Sequence, residues 1–333
     1  MIWGVYLFGR AGEPPHFVLL RCKKLHEKLL ESRIRDRHRA RLVWSKAAVL
    51  QMLSTFVLFL VGSTHALRVA VSGAGGQTGQ HVFRKLLAAK DMEPLGIVRT
   101  EESRTALLSS GVPEDSVVVA DVTDAAALKS AVASCNAFVI CTSAKPKPSD
   151  KTDEATGRPI FTFPNGSPEE VDWLGQKSQI DAMPSDAHCV ICSSMGGTDP
   201  ANMLNALGRV NNGDGSTSGG NILLWKRKAE LYLIESGRPY TIVHPGGLIN
   251  EPGGERELVV GVDDEREGTD SRTVPREDVA EVLVQALLHE SYRGRSFDLR
   301  AKPVGDGSAT TDFATLLDGL GGRNCDYTLG EIA

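Results

Sequence analysis

The chain reads as an α/β protein built on a doubly wound parallel sheet, with a small C-terminal elaboration and an N-terminal hydrophobic extension. Two observations predict the sheet. Short β-branched runs alternate with helical stretches from Leu67 onward, as strands joined by crossover helices do. The first of these runs, Arg68–Ser72, enters a turn spaced Gly73-x-x-Gly76-x-x-Gly79, and a helix-like stretch follows at once. A third observation sets the boundary. Residues 1–66 carry eleven Lys/Arg against four Asp/Glu, which leaves 26 against 38 in residues 67–333.

In order, strand one, Arg68–Ser72, is followed by a helix over Gln77–Lys90. Strand two is Pro94–Val98 and strand three Ser116–Ala120. A helix over Asp124–Ser134 has Asp124 as its N-cap, because a carboxylate there accepts from the first free amides. Strand four is Ala137–Cys141. Pro146–Pro168 is a Pro-, Gly- and charge-rich loop, and structureless stretches of that length inside a domain are usually functional. The helix Glu169–Met183 leads to strand five, Cys189–Cys192. Gly208–Gly220 has loop composition. The helix Ile222–Ser236 and strand six, Tyr240–Val243, complete a six-stranded sheet. The tail holds a helix over Val274–Leu288 and a short strand, Ser296–Leu299.

Composition bounds the class. With 41% apolar and 24% charged residues the chain can bury a sizeable core. The acidic balance after residue 66 excludes nucleic acid as a bulk electrostatic partner. Cys189 and Cys192 read CxxC, but residues three apart on a strand face opposite ways, so no metal site or redox pair is predicted from them.

Residues 1–66 read as a basic and hydrophobic targeting or membrane segment. Ala47–Leu67 contains no Asp, Glu, Lys or Arg. An apolar run of about 20 residues suffices for a transmembrane helix. A signal peptide cut after Ala66 fits the same residues, with Thr64 and Ala66 as the small residues before the cut. Membrane contact is therefore expected through residues 47–67.

The glycine turn is the chemical signal. A strand delivers it, glycines let a backbone approach a pyrophosphate, and the helix offers free amides and the positive end of its dipole. Gly73, Gly76 and Gly79, with Gln77 and Thr78 between them, are the phosphate candidates. Arg99 ends strand two, where an adenosine ribose is expected. A cation there suits the 2′-phosphate of NADP, with NAD as the alternative, and Thr100 adds a hydroxyl and Arg104 a second charge. Thr142, Ser143 and Ala144 end strand four and are small enough to line the ribose and nicotinamide side.

These residues resemble an atypical short-chain dehydrogenase/reductase. They are most similar to the plant and algal NAD(P)-binding Rossmann-fold proteins, largely uncharacterised and in part chloroplast-directed. The glycine turn, Val171–Asp181, Ser194–Thr198, Asn221–Glu230, Pro245–Leu248 and Thr273–Ala280 carry the resemblance, in order, across nearly all of residues 67–303. It implies a Rossmann domain over 67–333 that binds NADP(H), a small-molecule substrate it does not specify, and residence in the plastid. The secretory membrane system is the alternative destination. By resemblance Asp121 takes the adenine amino group and Val122 packs nearby.

The resemblance also poses the catalytic question. Short-chain dehydrogenases use a serine, a tyrosine and a lysine, the tyrosine moving the proton. Ser194 stands at the serine position and Lys226 at the lysine position, where it contacts the ribose. The residue four before Lys226 is Ile222, which transfers no proton. Tyr232 is on the same helix beyond the lysine. Pro245, Gly246 and Gly247 pack over the nicotinamide amide, and His244 before them is an acid/base candidate. Arg256 and Arg276 are candidates for an anionic substrate. Three readings follow: an NADP-dependent oxidoreductase with a proton donor other than tyrosine, a non-catalytic NADP(H) redox sensor, and a membrane-tethered regulatory or assembly factor.

Overall fold

Alternation within each strand decides which layer a residue joins. In a computed structural model that describes residues 66–331, apart from 153–156, 158, 213 and 215, Val69 and Val71 enter one apolar layer and Ala70 the other. Ala137 and Val139 likewise face one side, Phe138 and Ile140 the other. A strand buried on both faces needs a helical layer over each, and the sequence supplies both.

The elements run β1 (Leu67–Ser72), α1 (Gly79–Ala88), β2 (Met92–Val98), α2 (Glu101–Ser109), β3 (Val117–Val119), α3 (Ala125–Val132) and β4 (Ala137–Ile140). A hairpin follows, β5 (Lys147–Thr152) with β6 (Pro159–Thr162). A π-helical turn, Glu169–Gly175, leads into α4 (Gln176–Ala182) and β7 (His188–Cys192). Next come α5 (Met203–Ala206), the short ribbon β8 (Val210–Asn211) and β9 (Thr217–Ser218), then α6 (Ile222–Glu235) and β10 (Tyr240–Pro245). The last part holds β11 (Gly247–Ile249), β12 (Leu258–Gly261), β13 (Thr273–Pro275), α7 (Arg276–Leu288) and β14 (Arg295–Ala301).

The main sheet has the order β12-β14-β10-β7-β4-β1-β2-β3. Seven strands are parallel, and β12 pairs antiparallel with β14 at the edge. The chain is thus a Rossmann-type α/β fold with extra C-terminal strands in a mixed sheet. The expected six-stranded sheet is corrected: the tail strand is a full member, and β12 was not foreseen. Its run Leu258–Gly261 is too short for periodicity to announce. α2 was also unforeseen, because its charged run buries Leu107 alone.

Helix α1 buries Gly79, Val82, Phe83 and Leu86, spaced as one face of a helix. Asp124 caps α3 as expected, accepting from Ala126 N and Ala127 N at 3.0 Å each. Cys189 and Cys192 pack into opposite layers, so no CxxC pair forms. The expectation of a transmembrane helix is corrected: among the described residues no helix is long and apolar enough to cross a membrane. Residues 47–65, which carry most of that expectation and of the signal-peptide reading, lie outside the described residues.

One core histidine makes a pH prediction. The Thr241 hydroxyl donates to Tyr292 O at 2.7 Å, so it accepts from His188 Nε2, 2.9 Å away. His188 is buried, and burial, with Arg293 nearby, lowers its imidazole to about 4. The unfolded chain binds the proton near 6.5, so stability is full above that pH and is lost progressively down to about 4. Between pH 7 and 5 the wild type should lose about 2 kcal/mol more than His188→Gln, at about 1.4 kcal/mol per unit. Urea unfolding at the two pH values checks this.

Candidate functional site

At the carboxyl ends of the central strands the order reverses between β1 and β4, the crevice where open α/β sheets bind ligands. A cleft of about 790 Å³ opens there. That is within the roughly 300–1,000 Å³ of small-molecule sites. Gly73, Gly75 and Gly76 form its floor beside β1. Gly73 has φ +67°, a left-handed conformation that a side chain strains. A Cβ on Gly79 would overlap the Gly73 carbonyl oxygen, so α1 can start this close to β1 only with glycine. These are the requirements of a pyrophosphate turn, and the residues fit a dinucleotide.

Arg99, Asp121 and Val122 line the adenosine side of the same cleft. Arg99 Nη1 donates to Asn165 O at 2.8 Å, and no ion pair among the described residues involves Arg99. Arg104, by contrast, is bound to Glu114 at 2.8 Å. The Thr100 hydroxyl caps α2 by accepting from Ser103 N at 3.2 Å, which occupies it locally. The Asp121 carboxylate accepts from Thr123 N and Thr123 Oγ1 at 2.9 and 2.7 Å, and the amide holds it below the usual carboxylate range.

Thr142 and Ser143 line the far end of the cleft with Lys145, a cation that sequence reasoning passed over. The long loop after β4 is corrected from structureless: it contains the β5–β6 hairpin. Beyond the hairpin, Asn165, Gly166 and the π-helical turn form one wall of the cleft. Ala144 N donates to Asp172 Oδ2 at 3.0 Å, and Asp172 Oδ1 lies 2.8 Å from Lys226 Nζ. Both charges are buried. Asp172 was not singled out in the sequence, although it lies in the stretch Val171–Asp181 that carries the resemblance.

The other expected residues fall elsewhere. Ile222 is buried against Ala144, Phe163 and Val171. Tyr232 donates to Asp181 Oδ1 at 2.5 Å and packs edge-on to Trp173. Gln77, Thr78, Gly79, Thr100, Ala144, Lys226, Pro245, Gly246 and Gly247 do not line the cleft. A Cβ on Gly246 would sit 2.5 Å from Arg272 O, so this glycine serves the packing of β10 on its neighbours. Arg256 pairs with Glu251, and Arg276 with Leu248 O and Asn250. Ser194 and His244 border a second, small cavity, so the structure does not bring them into the cleft with Thr142 and Ser143. Burial alone would lower the His244 imidazole, but the Glu230 carboxylate and Cys325 raise it well above its ordinary value.

The switch-point cleft, its glycine turn and the flanking cation define a dinucleotide-binding protein of the Rossmann class. The chain belongs to the NAD(P)H-binding family, whose model matches residues 73–290, and its cofactor is NAD(P). It is 45% identical to an uncharacterised chloroplastic protein of Arabidopsis thaliana over 76% of this chain and 75% of that one. It is 41% identical to sanguinarine reductase of Eschscholzia californica, over 77% of this chain and 97% of that one. Among solved structures, a candidate NAD-dependent epimerase/dehydratase from Bacillus halodurans shares the fold with a TM-score of 0.55 and 23% identity, covering 76% of this chain and 99% of that one.

Proposed function

We propose that the protein is an NADP(H)-dependent reductase of an electrophilic small molecule whose reduction needs no proton from a tyrosine. The observation that carries this reading is the cleft itself: the glycine turn, Arg99 and the Thr142–Ser143 pair all line it. When bound, the reduced nicotinamide supplies a hydride. An iminium cation takes a hydride without a proton, so Ile222 at the tyrosine position is compatible with turnover. Sanguinarine, on which the Eschscholzia relative is named to act, is such a cation. Val171 joins the apolar group of Ile222 and Phe163 to the cleft, which suits a flat apolar acceptor.

In this reading the buried Lys226–Asp172 pair, with Asp172 accepting from Ala144 N, fixes the end of β4 that meets the nicotinamide ribose. Asp121 receives the adenine. Ser194 and His244 have no proton-transfer role. The chloroplastic relatives support a plastid location. Residues 1–66 then act as an extension that directs the domain over residues 67–333. The non-catalytic sensor is the second reading, favoured by the absence of a tyrosine at position 222. Purified protein with NADPH should consume the cofactor in the presence of sanguinarine and not with simple ketones. Tight NADPH binding with no consumption on either acceptor would favour the sensor.

Arg99 sets cofactor choice. Charge-assisted hydrogen bonds contribute about 1.5–3 kcal/mol, so Arg99→Asp should weaken NADPH roughly 10- to 150-fold. NADH should change by only a few-fold. Equal losses for both, by fluorescence titration, would show that Arg99 does not read the 2′-phosphate.

A further inference from the structure

A group of polar residues that the dinucleotide cleft does not use gathers on β10 and β14, toward the β12 edge of the sheet. His244 on β10 and Asp298 on β14 are direct partners in the parallel register. Their side chains therefore leave the sheet on the same face. The C-terminal segment brings Cys325 onto them. Cys325 Sγ lies 3.5 Å from His244 Nδ1 and 3.9 Å from Asp298 Oδ1, and those two atoms are 3.6 Å apart. All three residues are buried.

Those spacings have a chemical reading. A tetrahedral zinc ion bonds sulfur at about 2.3 Å and nitrogen or oxygen at about 2.0–2.2 Å, which sets neighbouring ligand atoms roughly 3.3–3.6 Å apart. Two of the edges here match, and the third is wide by a few tenths of an ångström. We propose that His244 Nδ1, Asp298 Oδ1 and Cys325 Sγ form a three-ligand site for a zinc ion. It is separate from the dinucleotide cleft and rests on none of the reductase reading.

The surroundings suit that role. A metal-bound histidine commonly gives its other ring nitrogen to a carboxylate, which fixes the tautomer. His244 Nε2 is 3.0 Å from Glu230 Oε2. Glu230 in turn accepts from the Ser193 hydroxyl and, at 3.0 Å, from Tyr327 OH. The second oxygen of Asp298 accepts from Asp264 N at 2.7 Å, which sets the carboxylate's orientation. The Cys325 amide donates to Ser296 Oγ at 3.1 Å, which sets the thiol's approach. The three ligands border a cavity of about 10 Å³ together with Ser194, Thr198 and Arg227. That volume is about one water. Zinc here ties the C-terminal segment to the last two parallel strands. The ligands stand 54 and 27 residues apart, outside any spacing that a sequence pattern would register.

The test is metal itself. The full chain is stripped with a chelator, dialysed against zinc and then against zinc-free buffer, and assayed for bound metal. One zinc per chain is expected. Cobalt(II) titrated into the stripped protein should give a tetrahedral spectrum with a thiolate-to-cobalt band. Cys325→Ser should remove that band and weaken zinc at least tenfold, while Cys135→Ser, a buried thiol elsewhere, keeps both. Glu230→Gln does not touch a ligand position and should weaken zinc about 10- to 100-fold by loosening His244. If Cys325→Ser does not fold, the wild-type cobalt spectrum decides. Wild type without stoichiometric zinc and without the thiolate band would leave the three residues as a metal-free hydrogen-bonded network and overturn the proposal. So would zinc bound equally well by a folded Cys325→Ser. Either failure leaves the NADPH measurements untouched.

Discussion

Gly79→Ala is expected to weaken cofactor binding severely. The added methyl would overlap the Gly73 carbonyl oxygen, and that oxygen also accepts from Gly76 N at 2.7 Å. The neighbour is backbone, so no rotamer change relieves the clash. Either α1 moves outward or the turn opens, and both displace the amides that meet the pyrophosphate. Affinity for NADPH and NADH should fall together by at least 100-fold, about 2.7 kcal/mol. Stability should fall as well, by about 1–3 kcal/mol for overpacking at a tight site. Gly319→Ala, where a Cβ meets open space, is the control and should change neither. Fluorescence titration with circular dichroism separates lost binding from lost fold. A folded Gly79→Ala that binds at wild-type strength would show that the turn is not the phosphate site.

Lys226→Met has the largest expected effect on stability. It leaves the fully buried Asp172 carboxylate without its cation. Breaking one side of a buried pair costs about 3–5 kcal/mol. For a domain of this size that corresponds to a fall in Tm of roughly 6–20 °C. Combining it with Asp172→Leu removes the stranded charge, so the double variant should recover much of the loss. A single variant that melts with the wild type would mean that the pair is solvated in solution. The same substitution should weaken NADPH if the pair fixes the end of β4 that meets the ribose, a separate readout on the same protein.

How much of this was legible follows from where each signal lives. Strand-to-helix alternation is local, so β1 to β4, β7 and β10 could be read from their runs, and the glycine turn could be placed between β1 and α1. Arg99 could be placed at the cleft because it ends a strand of a doubly wound sheet, and Asp121 through the family resemblance; both line the cleft. The failures share a cause. Lys226 was singled out on its helix, but Asp172, which lies 54 residues earlier, belongs to another element and only packing brings them to 2.8 Å. Thr100 has a suitable hydroxyl, yet Ser103 three residues on claims it for the cap of α2. His244 was read as an acid/base candidate beside the nicotinamide; Glu230, Asp298 and Cys325 surround it from α6, β14 and the C-terminal segment. The hairpin β5–β6 was hidden because Lys147–Thr152 carries Pro and charge in place of apolar alternation and Pro159–Thr162 is only four residues long.

The central claim is that NADP(H) lies along the cleft from the Gly73–Gly79 turn to Thr142. A crystal structure of the protein with NADP is the most direct test. The pyrophosphate should rest on the turn at the start of α1, the 2′-phosphate within hydrogen-bond distance of Arg99, and the nicotinamide beside Thr142 and Ser143. The account is contradicted by a dinucleotide found outside this cleft, or by one whose 2′-phosphate points to solvent with Arg99 still on Asn165.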